Sequence, residues 1–252
     1  MILGAIVDAG ASFHKIKEGL ASLGVGGYSI SYLQGKRNGM RGTSVVVDLD
    51  DSSPHYEHCE EFVSIIQRSR LPTKIIETSC EVIRRLAKAE NSVHGCQKDD
   101  AVLHELGDID TLVDVVGTVI GLDILNVDNV YSAALPVGIG MIKSSHGLMP
   151  LPSPAAVELL AMSNAPVVKP PANIDYGDEM ITPTGVALLT TLSQFTQPSM
   201  KLERVGYGLG TRDSKYYPNV LALWLGDESD MMPSTTLTMI ETNVDDISGE
   251  FL

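Results

Sequence analysis

Between Asp108 and Leu125 the chain repeats apolar residues at helical spacing, and this run limits the folds open to it. Ile109, Leu112, Val113, Val116, Val119 and Ile120 recur three and four residues apart, the pattern of a helix with one buried face. Asp108 stands where an N-cap is needed, because its carboxylate can accept a hydrogen bond from the unpaired N–H groups of the first turn. A second stripe shares the helix: Asp110, Asp114, Gly117 and Gly121 follow at spacings of four, three and four. That face carries carboxylates at its start and bare backbone at its end. Each helix-interior glycine costs roughly 1 kcal/mol against alanine, so another helix or a ligand is expected to come close there.

The approach to this helix is rich in groups that bind cations. His94 and His104 stand with Asp99, Asp100, Glu105 and Asp108, ahead of Asp110 and Asp114. His104, Glu105, Asp110 and Asp114 supply the nitrogen and oxygen ligands that divalent first-row ions accept, which makes them a candidate metal site. The alternative is an acidic first turn favoured by the helix dipole, with His104 as a surface or capping residue. No strict ligand motif decides between the two.

Composition narrows the class. The chain has 252 residues, 44% hydrophobic and 20% charged, enough for one large domain or two small ones with a real core. A formal net charge of −14 argues against nucleic acid or an anionic membrane as the main partner, and it suits attraction of cations. Cys59, Cys80 and Cys96 are odd in number and form no CxxC pair, which fits a reducing, cytoplasmic setting. No apolar run has the length of a membrane span, and the opening MILGAIVDAGASFHK lacks the basic flank and cleavage site of a secretory signal. The opening reads as a core helix that begins abruptly, with something expected upstream.

Taken in order, residues 1–23 read as one helix broken at Gly10 or as two short ones. Residues 28–33 and 42–48 alternate as strands of a hairpin, whose tip carries Lys36, Arg37 and Arg41. That tip is a solvated turn or an anion contact. Residues 55–69 read as an amphipathic helix that would set His55 and His58 on one face, as a solvated first turn or a pair of metal ligands. A further helix spans roughly 73–92, and residues 129–134 read as a strand. A long glycine- and proline-rich segment then leads to Ser153-Pro154, a cap followed by proline at the first helical position. Its histidine, His146, is a candidate ligand or acid/base, or an ordinary loop residue. Thr182-Pro183 repeats the cap-and-proline device, and Thr182, Thr184 and Gly185 form a candidate anion site at a helix N-terminus. Residues 202–212 are glycine-rich and strand-like without nucleotide-fingerprint spacing, and 219–225 and 235–241 read as closing strands.

Several short runs, in order, resemble the LarC family of nickel insertion proteins. They are Leu86-Ala-Lys-Ala-Glu90 to Val93-His-Gly95, His104-Glu-Leu-Gly107 with Asp110 to Asp114, Leu135-Pro-Val-Gly138 and His146-Gly-Leu-Met-Pro-Leu-Pro-Ser-Pro154. Thr182-Pro-Thr-Gly185, Gly206-Tyr-Gly208, Pro218-Asn-Val220 and Glu241-Thr-Asn-Val-Asp-Asp246 complete the set. The resemblance implies a cytoplasmic protein that inserts nickel into pyridinium-3,5-bisthiocarboxylic acid mononucleotide for the lactate racemase cofactor. It would be a nickel chelatase of the lyase class, consuming CTP with Mn²⁺ or Mg²⁺ through a C-terminal domain. By that likeness His94, His104, Glu105, Asp110 and Asp114 would hold or hand over Ni²⁺. The pyridinium mononucleotide would meet Thr182, Thr184, Gly185 and His146. Family members begin with a strand and a D-x-x-S-G-x-x-G-D-M run, and this chain starts at that final methionine. Val102 stands where the family carries a histidine two before His104.

The expected fold is α/β, a mixed sheet with helices packed on it, an early β-hairpin and antiparallel C-terminal strands. Residues 1–242 are expected to form the metal-handling domain, with 243–252 opening a C-terminal domain that would be the partner. A homo-oligomer is compatible with this organisation. Two other functions fit the residues: a non-catalytic scaffold for the organic cofactor or a partner, and a metal-dependent phosphohydrolase using Asp110 and Asp114.

Overall fold

The computed structural model describes residues 1–95, 102–144, 146–169, 179–212 and 217–228. Asp99, Asp100, Cys96, the strand expected over 235–241 and the segment 243–252 lie outside the described residues.

Two short helices open the chain, α1 (Ile2–Asp8) and α2 (Phe13–Ala21), and Gly10 breaks them apart at φ 107, a conformation glycine adopts freely. A hairpin follows, β1 (Tyr28–Arg37) and β2 (Met40–Leu49), and Asn38 and Gly39 at φ 44 and 83 make its two-residue turn. Helix α3 (Cys59–Arg68) precedes the long α4 (Thr73–His94), a 3-10 turn (His104–Leu106) and α5 (Ile109–Ile124). Short strands β3 (Val130–Tyr131) and β4 (Leu135–Pro136) lead to a small hairpin of β5 (Met141–Ser144) and β6 (Gly147–Pro150). Then come α6 (Pro154–Ser163), β7 (Val167–Val168), α7 (Pro183–Leu192), β8 (Ser193–Gln194), β9 (Met200–Leu209) and β10 (Val220–Glu228).

The principal sheet runs β1-β2-β9-β10. Its outer pairs are antiparallel hairpins, and β2 joins β9 in parallel, so the mixed sheet and antiparallel C-terminal strands are as expected. Elsewhere among the described residues, parallel pairing is limited to the two-residue pairs β3 with β8 and β4 with β7. Helix α1 lies on β2, β9 and β10, and α5 backs it, packing in turn against α2 and α4. Helix α4 carries α3, α6 and α7 on its other sides. The core gathers Leu3, Ile6 and Ile16 with Phe62, Ile83, Leu86, Ile109, Leu112 and Leu159, all fully buried.

The glycine notch of α5 is filled by protein. A side chain on Gly121 would run into Ile6 and Ile16, and one on Gly117 would meet Leu3 Cδ2 at 3.1 Å. The face bearing Asp110, Asp114, Gly117 and Gly121 is therefore the face that receives α1.

Three expectations need correction. The helix expected from residue 55 begins at Cys59, because His55 and His58 are held in extended bridges to Asp108 and Val102. The two histidines share no helical face. The 129–134 strand shrinks to Val130–Tyr131, and the glycine- and proline-rich segment expected as a loop contains β4 and the β5–β6 hairpin. At the basic tip Arg37 Nε donates to Gly210 O at 2.8 Å, while the Arg41 side chain stays 70% exposed, 3.6 Å from the buried Asp8 carboxylate.

Candidate functional site

Three imidazoles meet where the end of α4, the 3-10 turn and the small hairpin converge. His94 is the last residue of α4, and Gly95 stops the helix in the left-handed conformation at φ 65. Glu90 lies one turn earlier on the same face, its carboxylate 3.4 Å from His94 Nε2. The helical spacing i, i+4 makes this pair, a signal that the sequence carries and that the expected site leaves out.

His104 is delivered by local backbone bonds. The N–H of Leu103 donates to Glu57 O at 2.8 Å, that of Val102 to Asn91 Oδ1 at 3.2 Å, and that of Gly107 to His104 O at 3.2 Å. With fully buried Leu103 as anchor, the turn holds His104 at φ 42, a conformation that costs a non-glycine residue about 1–2 kcal/mol. His146 sits in the turn between β5 and β6, its N–H donating to Ser144 Oγ at 3.1 Å. Ring centroids lie 4.0 Å apart for His94 and His104, 5.1 Å for His94 and His146, and 6.2 Å for His104 and His146. His104 Nε2 is buried and has no hydrogen-bond partner.

Two of the imidazoles, His94 and His146, border a cavity of about 560 Å³. Its wall includes Glu90, His94, His146, Lys143, Ser153 and Glu179, with the prolines at the heads of α6 and α7. Glu179 is withdrawn from solvent, which raises its carboxyl above the ordinary range against the opposing pull of Arg212. Glu179, Ser153 and Lys143 carry no spacing signal, since they meet only through the tertiary fold. Among the described residues no three His, Cys, Asp or Glu side chains are set as a ready-made metal cage. The cluster is open, with one imidazole nitrogen already desolvated and unpaired.

Asp110 and Asp114 are not among the residues lining this cavity. Asp114 feels the charges of Asp110 and of the Met1 amino group, as its place on the α1-facing side of α5 requires. Burial is the main cause that raises the Asp114 carboxyl, opposed by the Met1 ammonium and reinforced by Asp110. Desolvation likewise raises Asp110, and the Asp108 charge adds to it. The side chain of Glu105 lies outside the described atoms. Thr182 Oγ1 accepts from the N–H of Gly185 at 3.2 Å and so serves as the cap of α7. His55 Nδ1 is paired with Asp108 Oδ1 at 2.7 Å.

The raised carboxyls and thiols each have a measurable consequence. A carboxyl whose folded pKa is raised adds stability below its unfolded pKa and loses it as pH rises through the folded value. Asp114→Asn is therefore expected to raise the melting temperature at pH 7 by roughly 2–4 °C. The gain should vanish below about pH 4, where the unfolded chain also holds the proton. A variant that melts lower at pH 7 would contradict this. The second concerns Cys59 and Cys80, both buried. Burial, then the Glu60 charge, pushes the Cys59 thiol up to about 11, and burial also raises Cys80. Neither is a thiolate at neutral pH. Iodoacetamide at pH 8 should leave both unmodified in peptide mass spectra of the native protein and label both after denaturation; native labelling of Cys59 would refute it.

The chain is matched by the family model described as nickel insertion protein over residues 1–252. The chain belongs to the nickel insertion protein family. Two relatives called putative nickel insertion proteins, from Roseiflexus castenholzii and Thermomicrobium roseum, are each 39% identical to it, over 99% and 100% of this chain. A relative from Desulfitobacterium hafniense, 36% identical over 99% of this chain, is named pyridinium-3,5-bisthiocarboxylic acid mononucleotide nickel insertion protein. The chain spans 62%, 61% and 62% of the lengths of these three family members. No solved structure matches it. No helix among its described residues is long and apolar enough to cross a membrane.

Proposed function

We propose that this chain binds Ni²⁺ as cargo on His94, His104 and His146 and delivers it to pyridinium-3,5-bisthiocarboxylic acid mononucleotide. The observation that carries the reading is the convergence of three imidazoles from three separate elements around a buried, unpaired His104 Nε2. Neutral imidazole is a good nickel ligand, and an unpaired desolvated nitrogen gains most from a metal bond. Glu90, beside His94 Nε2, orients that ring and offsets the ion's charge. Asp110 and Asp114 add negative potential at the head of α5 and enter the proposal as cation-attracting groups.

Transfer needs a site that gives the ion up. An open set of nitrogen and oxygen donors holds nickel less firmly than a preformed chelate of thiocarboxylate sulfurs, so the ion moves downhill to the organic ligand. Keeping the cavity next to the rings lets the ligand's sulfurs reach the ion while imidazoles still hold it. Residues 1–242 form the nickel-handling unit in this reading. CTP with Mn²⁺ or Mg²⁺ would act outside this unit, in a C-terminal domain that serves as its partner. The setting is cytoplasmic, where thiols and thiocarboxylates stay reduced.

Calorimetric titration of the intact chain with NiCl₂ at pH 7.5 tests the proposal. One ion per chain with micromolar or tighter affinity is expected; no saturable uptake would overturn it.

A further inference from the structure

The same cavity is lined by groups that nickel binding leaves unused. Helix α6 opens at Pro154, which has no N–H to offer, and its cap residue Ser153 makes no side-chain cap bond. The earliest backbone bond into the helix runs from the N–H of Val157 to Ser153 O at 3.1 Å. Ahead of it stand the N–H groups of Ala155 and Ala156, both buried residues. Ser153 is itself only 7% exposed, and its Oγ is buried with no hydrogen-bond partner. A hydroxyl in that position ordinarily accepts from the first turn, as Thr182 does in α7. Ser153 is one of the residues of the cavity wall, where it stands with Pro154, Ala155 and Lys143.

An uncapped helix start, a desolvated hydroxyl and an ammonium group together suit a small multivalent anion. The N–H groups and the helix dipole favour negative charge, and a phosphate oxygen gives Ser153 the partner it lacks. Glu179 lines the same cavity and is suited to the opposite charge. The ligand this wall selects is therefore a phosphate monoester that carries a cationic group.

We propose that the head of α6, with Ser153 Oγ and Lys143, binds the phosphate of a pyridinium mononucleotide in the cavity beside the imidazole cluster. In naming the ligand a mononucleotide, this rests on the reading of function above. It moves the phosphate from the α7 start, where Thr182 is already engaged, to the α6 start.

The test compares two commercial probes on the intact chain by calorimetry, nicotinic acid mononucleotide and the riboside that lacks its phosphate. The mononucleotide should bind roughly tenfold tighter or better, and inorganic phosphate should compete with it and not with the riboside. Ser153→Asp supplies a good N-cap, so the helix is kept, and it places a carboxylate where the phosphate would lie. That variant should lose the preference, and Lys143→Gln should weaken it several-fold. Equal affinity of the two probes for the parent chain, binding of neither, or an undiminished preference in Ser153→Asp would each overturn the proposal. Nickel titration of the parent chain is read separately. Failure there with the phosphate preference intact sinks the nickel reading alone; nickel uptake without the preference sinks only the phosphate site.

Discussion

Replacing His104 with glycine is expected to remove most of the chain's affinity for nickel while leaving it at least as stable as before. The two effects have different causes. Among the described residues His104 supplies the one imidazole nitrogen that is buried and unpaired, so its loss removes the donor with most to gain from the metal. Loss of one ligand from an open site should weaken binding by roughly a hundredfold, or about 2.7 kcal/mol. The backbone at that residue sits at φ 42, which glycine adopts without penalty. His104→Gly should then match or exceed the parent melting temperature, and His104→Ala, which keeps the strain, should fall below His104→Gly. Nickel affinity within about threefold of the parent in both variants would contradict the role given to His104.

The second large effect is on the fold. Helix α1 lies so close to β9 that a side chain on Gly206 would collide with the Ala5 carbonyl and approach Ala9 N and Cβ at 2.6 and 2.8 Å. Backbone lies on the receiving side, so relief requires lifting α1 off the sheet. That would open the Leu3 and Ile6 contacts with the glycine notch of α5 as well. Gly206→Val should cost about 3 kcal/mol or more, a large part of the roughly 5–15 kcal/mol that stabilises a domain. The urea midpoint should drop by at least about 1 M at the slope usual for such chains. A midpoint unchanged within error would mean that α1 does not press on β9 as described.

These two sites show what a linear reading can and cannot recover. The α5 stripe is legible because burial on one helix face leaves a 3.6-residue period, and its glycines correctly announced a close approach. Spacing does not say what approaches, and Leu3 and Ile6 fill the notch from more than a hundred residues away in the chain. The same packing buries Asp114 on the α1 side of α5, within reach of the Met1 amino group, although along the chain it follows soon after His104. The break at Gly10 and the α6 start at Pro154 were legible because glycine and proline act on their own backbone. His55 and His58 were misplaced because extended bridges to Asp108 and Val102 override the helical pattern that continues after them. His94 and His146 are 52 positions apart in the sequence, and only the packing of the β5–β6 hairpin near the end of α4 shows that they meet.

The imidazole cluster can be tested at the metal itself. X-ray absorption at the nickel edge on the intact chain, loaded with one equivalent of Ni²⁺, reports the ligand atoms directly. A first shell of nitrogen and oxygen with the outer-shell scattering of two or three imidazoles is the predicted spectrum, reduced by one imidazole in His104→Gly. A sulfur-dominated shell, or an oxygen shell without imidazole scattering, would contradict it.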